Sequence, residues 1–228
     1  MNPRIVFVTG TDTGVGKTVV AALLSAMLHR SGVNIRPMKL FSSGGREDAV
    51  QLREAVNGRW TLDEINPFAF EAPVTPLLAA REEGRQVSMQ QCCELVLQAA
   101  NTCEVLLLEG AGGLMSPLGP GYDSLELINR TDALPVLVAA NRLGVINQVL
   151  MANEVMRVRG CVPCVTVLTN IVAEEPTRLG NLQLLEELRP DLAFEALDYI
   201  GGEMPLEGAL KQGAKFLEKT LAAVRGRT

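Results

Sequence analysis

The sequence predicts an α/β fold, a mostly parallel central sheet with helices on both faces, and three observations carry that expectation. Short Val-, Leu- and Ile-rich runs alternate with longer stretches of helical period, the pattern of repeated strand–helix–strand units. Aromatic residues make up only 4% of the 228, so an apolar fraction of 47% has to pack mainly through aliphatic side chains. The 21 glycines and 12 prolines supply the sharp turns that such units need. A chain of this size and composition is expected to form one domain over residues 1–228.

Arg4–Val8 reads as the opening strand. Val19–Arg30 reads as a helix, because Ala22, Leu23, Ala26 and Met27 recur near the 3.6 period and Gly32 stops it. Asn34–Lys39 is the second strand. From Gly44 to Arg85 the pattern breaks up around Pro67, Pro73 and Pro76, so an irregular segment is expected there, with one short helix over Asp48–Glu54. Helical period returns over Met89–Ala100, and Val105–Leu108, four aliphatic residues in a row, reads as a strand covered on both faces. Pro135–Ala140 and Cys164–Thr169 are further strands, each followed by a helix, over Ile146–Arg157 and Thr177–Leu188. Tyr199–Ile200 is expected as a last short strand and Leu206–Arg225 as a terminal helix.

Charge and cysteine content narrow the partners. With 21 basic and 26 acidic residues the net charge is −5, which offers no electrostatic footprint for nucleic acid or an anionic membrane and leaves a small molecule as the expected ligand. No apolar run approaches the roughly 20 residues needed to span a bilayer. Five cysteines, an odd number, and a first strand with no leader before it point to a reducing cytoplasm. Cys161-Val-Pro-Cys164 has dithiol spacing, yet there is no second pair, and His29, the single histidine, sits on the first helix, so packing is the expected role.

The chemistry-bearing stretch is Gly10-Thr-Asp-Thr-Gly14-Val-Gly16-Lys17-Thr18, set between the first strand and the first helix. Glycines allow backbone N–H groups to turn inward around phosphate oxygens, and the helix N-terminus adds partial positive charge. Lys17 is placed to reach β- and γ-phosphates and the Thr18 hydroxyl to ligate Mg²⁺, so the stretch predicts a phosphate-binding loop (P-loop) and a three-layer P-loop NTPase-like fold. Five residues separate Gly10 from Gly16 where the usual pattern has four. A P-loop enzyme also needs a carboxylate at the end of another strand, and Glu109, after Val105–Leu108 and before Gly110-Ala111-Gly112-Gly113, meets that need. Asp48 is a second carboxylate, with capping of its own helix as the competing reading. Lys39 ends the second strand, where a second cation can neutralise charge on a transferring phosphoryl group.

Taken together, Gly10–Thr18, Lys39 with Ser43-Gly44, Glu47-Asp48-Ala49, Asn66-Pro67 with Glu71-Ala72-Pro73 and Pro76, Glu109–Gly113, Leu143-Gly144 with Ile146-Asn147, and Asn170 resemble dethiobiotin synthetases, in that family's order and over nearly the whole chain. The longer phosphate-loop spacing is the family's own form. The departures are Leu40 after Lys39, where the family usually has proline, and Gln148-Val149 after Asn147. The resemblance implies an ATP- and Mg²⁺-dependent ring closure of 7,8-diaminononanoate with CO₂ to dethiobiotin, by way of a carbamate and a carbamic-phosphoric anhydride. It implies that Thr18, Asp48 and Glu109 ligate the metal, that Lys17 and Lys39 stabilise the transferring phosphate, and that Thr13, Lys39 and Ser43 face the substrate. Gly14, Val15, Gly16, Lys17, Thr18 and Val19 would wrap the phosphates beside Gly110, Ala111 and Gly112, while Asn170, Pro205 and Leu206 would border the adenine. Leu143, Gly144, Ile146 and Asn147 would reach the substrate carboxylate across a two-fold interface, which implies a homodimer. A related P-loop enzyme for another amine or acid, and a nucleotide-dependent switch or partitioning ATPase, remain as alternatives. Asp12 stands where such switch ATPases carry a lysine early in the loop.

Overall fold

The computed structural model describes residues 4–171, 178–200 and 217–226, together with Gly208 and Gly213. Six parallel strands form the central sheet in the order β10–β9–β8–β1–β5–β2: β1 (Arg4–Gly10), β2 (Ile35–Lys39), β5 (Val105–Glu109), β8 (Leu134–Ala140), β9 (Val165–Thr169) and β10 (Phe194–Leu197). The connections run through α1 (Lys17–Arg30), α5 (Met89–Ala100), α6 (Ser124–Thr131), α7 (Val145–Val158) and α8 (Arg178–Leu188), and α9 (Glu218–Arg225) closes the described chain. Because β1 is flanked by β5 on one side and β8 on the other, the crossovers diverge at its carboxyl end, where open α/β sheets bind ligands.

The period of two along β1 sets the layers. Val6 and Val8 join one apolar cluster with Val20, Leu24 and Leu28 of α1 and Val224 of α9, whereas Ile5 and Phe7 join another with Val96 of α5 and Ile128 of α6. Neighbouring β5 divides likewise, with Leu107 on the first face and Leu106 and Leu108 on the second. Each such fully buried side chain contributes about 1.5–3 kcal/mol over its exposed state, and a slip of one residue would turn every one to the wrong face. The register Lys39↔Glu109 and Val8↔Glu109 is thereby fixed by the aliphatic packing of the strands that carry these residues.

Three stretches differ from the sequence expectation. Residues 41–85 are ordered: β3 (Phe41–Ser43) pairs in parallel with β4 (Phe68–Phe70), and α2 (Glu47–Ala55), α3 (Leu62–Ile65) and α4 (Pro76–Glu82) fill the rest. The prolines there are boundaries and not breaks, since Pro76 occupies the first turn of α4, where a missing N–H costs nothing. Residues 117–131 form a hairpin of β6 (Pro117–Gly119) and β7 (Tyr122–Asp123) followed by α6, which is capped by the Asp123 side chain. Tyr199 and Ile200 are not a strand; the last strand among the described residues is Phe194–Leu197, concealed in the sequence by Glu195. Of the expected terminal helix, the part before Leu217 lies almost wholly outside the described residues.

Glu195 has a structural reason to be buried. Its carboxylate accepts the backbone N–H of Lys219, the N–H of Thr220 at 3.0 Å and the Thr220 hydroxyl at 2.6 Å, so a strand residue satisfies the first turn of α9. Replacing Glu195 by Ala leaves those donors buried and unpaired, and is expected to lower stability by about 1–3 kcal/mol. Urea unfolding checks this: the midpoint drops while the slope holds, and an unchanged midpoint would contradict the capping role.

Candidate active site

The phosphate loop turns back tightly on itself after β1. A Cβ on Gly10 would lie 2.8 Å from Val15 Cγ2, and Gly16, the N-cap of α1, has φ 89°. The loop is strapped from β9, where the Thr169 hydroxyl donates to the Val15 carbonyl at 2.5 Å. No side chain caps α1 and no acidic residue lies in its first turn, which leaves its N-terminal amides available to an anion. The Lys17 ammonium donates to the Asp12 carbonyl at 2.7 Å, inside the curl of the loop.

Four charged groups meet at the carboxyl edge of β1, β2 and β5. Register sets Lys39 opposite Glu109, and Lys39 Nζ donates to Glu109 Oε1 at 2.7 Å and to Asp48 Oδ2. The same Glu109 oxygen accepts the Thr18 hydroxyl at 2.7 Å, while Glu109 Oε2 is buried with no hydrogen-bond partner. Asp48 is the second residue of α2, whose N-cap is Arg46, so it does not cap the helix. Burial pushes the Glu109 carboxyl above its ordinary range against the pull of the Lys39 ammonium. Burial also lowers Lys17 to about 8, whereas in Lys39 the same desolvation is outweighed by Glu109 and Asp48, which hold it above its usual value.

A cavity of about 800 Å³ opens over this cluster. Thr13, Gly14, Gly16, Lys17, Thr18 and Val19 line it together with Lys39, Ser43, Asp48, Glu109, Ala111 and Gly112. Val15 and Gly110 are buried behind the wall, Val15 presenting only its carbonyl to Thr169. Phe41, Pro73, Val74 and Pro76 supply an apolar side, and Ser116, which no sequence motif marked, contributes a further hydroxyl. Asn66 ties the floor together: its amide donates to the Lys39 carbonyl at 2.9 Å and its oxygen accepts Ser42 at 2.8 Å and Arg46 Nε at 3.0 Å.

On the other side of the loop, Gly14, Gly16 and Val19 border a recess of about 270 Å³ that holds Asn170. Pro205 and Leu206 lie outside the described residues. Leu143 and Gly144 precede α7, Ile146 and Asn147 lie in its first turn, and none of the four lines the cavity; Leu143 is 82% exposed. Near them a shallow cleft of about 440 Å³ is lined by Leu114, Met115, Gln148, Met151 and Val155. Cys161 and Cys164 are free thiols, and burial pushes Cys164 up to about 11.

Comparison with known proteins decides the family. A family model described as an AAA domain matches residues 4–205. An ATP-dependent dethiobiotin synthetase of Anaeromyxobacter dehalogenans is 39% identical over 230 residues, covering 96% of this chain and 98% of its own. The chain belongs to the ATP-dependent dethiobiotin synthetase family. Dethiobiotin synthetases of Akkermansia muciniphila, at 37% identity over 94% of this chain and 95% of theirs, and of Methanocaldococcus jannaschii, at 30% over 84% and 96%, agree. Among solved structures, chloroplast FtsY from Physcomitrella patens aligns with a TM-score of 0.51 over 93% of this chain and 65% of its own. At 16% identity that likeness concerns the P-loop fold alone. The chain is therefore an ATP-dependent ligase.

The Thr169 strap generates a test. Thr169→Val keeps the side chain's shape but leaves the Val15 carbonyl without its donor, and ATP affinity is expected to fall about five-fold, the weight of one neutral hydrogen bond. Calorimetric titration with ATP measures it; an unchanged dissociation constant would show that the loop holds its curl unaided.

Proposed function

We propose that the chain forms dethiobiotin from 7,8-diaminononanoate, CO₂ and ATP, with Mg²⁺ bound. The observation that carries this reading is the uncapped α1 N-terminus with Lys17, set beside the Lys39–Glu109–Asp48 cluster and open to one cavity with hydroxyls on one side and an apolar wall on another. No protein nucleophile is required. One substrate amine adds to CO₂ and loses a proton to solvent to give a carbamate; a carbamate oxygen attacks the γ-phosphorus, and ADP leaves. The second amine then attacks the carbamoyl carbon, phosphate leaves, and the ring closes as that amine loses its proton. Catalysis here is positioning and charge neutralisation.

Within that scheme the loop amides and Lys17 hold the triphosphate, and Lys39 neutralises negative charge shared between the carbamate and the phosphoryl group. Thr13 and Ser43 orient the carbamate, and Phe41, Val74 and Pro76 cover the substrate's methylene chain while keeping water off the anhydride. Thr18, Asp48 and Glu109 would hold Mg²⁺: they form a hard-oxygen donor set, and the buried, unpartnered Glu109 Oε2 is an acceptor still in want of a cation. The metal would shield phosphate charge from the attacking oxygen.

A homodimer completes the reading. The exposed Met115 and Met151 of the shallow cleft give an apolar face suited to a second copy, Leu143 stands exposed just before α7, and the uncapped start of α7 at Gly144 offers amides to a carboxylate. The whole of 1–228 is proposed as one catalytic unit of the cytoplasm, in keeping with free cysteines and with no helix among the described residues long and apolar enough to cross a membrane.

Incubation with diaminononanoate, bicarbonate, Mg²⁺ and ATP is expected to yield dethiobiotin by mass; ATP consumption without that product would refute the substrate assignment. Lys17→Ala is expected to lower turnover by at least ~100-fold, on the scale of losing a charged donor to the transition state. Ser43→Phe should raise the diamine KM ten-fold or more with ATP affinity kept, whereas equal loss of both would overturn the division of the cavity drawn here.

A further inference from the structure

The recess beyond the phosphate loop contains a row of amides whose direction one carboxylate fixes. Asn181 Nδ2 donates to Asn141 Oδ1 at 2.8 Å, Asn141 Nδ2 to Asn170 Oδ1 at 2.9 Å, and Asn170 Nδ2 to Asp198 Oδ1 at 3.1 Å. A carboxylate only accepts, so the Asn170 group facing Asp198 has to be its NH₂; the Asn170 oxygen then faces Asn141, and the same logic passes to Asn181. Asn141 and Asn170 are buried, whereas Asp198 is exposed at the mouth, directly after β10.

The recess has the shape of a site for one part of a ligand. At about 270 Å³ it falls below the roughly 300–1,000 Å³ of pockets that take a whole one. Val19, Ile171, Leu197 and Tyr199 give it apolar walls, and Gly14 and Gly16 of the phosphate loop border both it and the cavity that holds Lys39. A triphosphate whose terminal phosphate points into the larger cavity continues toward its nucleoside on this side.

We propose that Asp198 is a specificity-determining residue for the nucleotide, its carboxylate accepting a hydrogen bond from the exocyclic amine of an adenine base stacked between these apolar walls. The assignment rests on the nucleotide reading of the loop given above. Asp198 has a second role in it, since it aligns the Asn170 amide so that its NH₂ and the carboxylate stand side by side, donor next to acceptor. That pair matches the N1 acceptor and 6-amino donor of adenine. A 6-oxo purine sets an acceptor against an acceptor-only group, which is how a site rejects a near-isostere.

The test reads binding, by calorimetry, of ATP and of inosine triphosphate to the wild-type chain and to Asp198→Asn, with tripolyphosphate as a phosphate-only probe. Wild type is expected to favour ATP by at least about ten-fold, the scale of a hydrogen bond to a charged group. In Asp198→Asn, whose amide can donate to a 6-oxo group, the ratio should fall to about three-fold or less. Tripolyphosphate should bind both proteins alike. A wild-type ratio below two, or a ratio unchanged in the variant, overturns the proposal, and the wild-type ratio decides even if the variant does not fold. ATP binding with this discrimination but no ring product would sink the assigned reaction and leave Asp198 standing; no ATP binding at all would sink both.

Discussion

The site depends on an ion pair kept out of water. Lys39 and Glu109 face each other across adjacent parallel strands, both buried, and the aliphatic residues around them set that register before any charge is considered. Such a pair is a poor source of stability, because the desolvation of both ions offsets most of their attraction, and two apolar side chains of the same volume would serve the fold as well. Removing one partner alone is far more damaging, at about 3–5 kcal/mol, since the other is left charged and buried. On the proposed reading, the pair serves for what it does when phosphate arrives. A second ammonium, on Lys17, is disfavoured by burial, a cost that an anionic ligand beside it relieves.

Hydrogen bonds to uncharged groups hold this cluster in place. Asn66 grips the Lys39 carbonyl and, through Arg46, the start of the helix that carries Asp48, so strand end and carboxylate helix are tied together. Thr169 does the same for the phosphate loop from the opposite side of the sheet. Both residues act on backbone carbonyls, which is why the charged side chains remain free to change partners. Rigid first neighbours with exchangeable charges is the arrangement that electrostatic preorganisation calls for.

Much of this was legible in the sequence, for identifiable reasons. The strand–glycine–Lys–Thr–helix run has few structural solutions; it set Lys17 and Thr18 just ahead of a helix expected from Val19, and the structure makes them the first two residues of α1. Glu109 was legible because a charge ending four aliphatic residues and leading into glycines has little reason to exist except at a sheet edge. What stayed hidden was long-range. The prolines at 67, 73 and 76 read as disruption, although they border β4 and open α4, elements too short for periodicity to register. The strand at 194–197 was concealed by Glu195, whose partners lie 24 and 25 residues further on. Asp198 carries no motif at all; only the fold brings it to Asn170.

The most direct measurement is a crystal structure of the enzyme with a non-hydrolysable ATP analogue, Mg²⁺ and the diamine. The account predicts the terminal phosphate in the larger cavity with Lys17 turned from the Asp12 carbonyl onto it, and Lys39 released from at least one of its two carboxylates. An analogue bound elsewhere, or a loop filled while Lys17 and Lys39 keep their present partners, would contradict it.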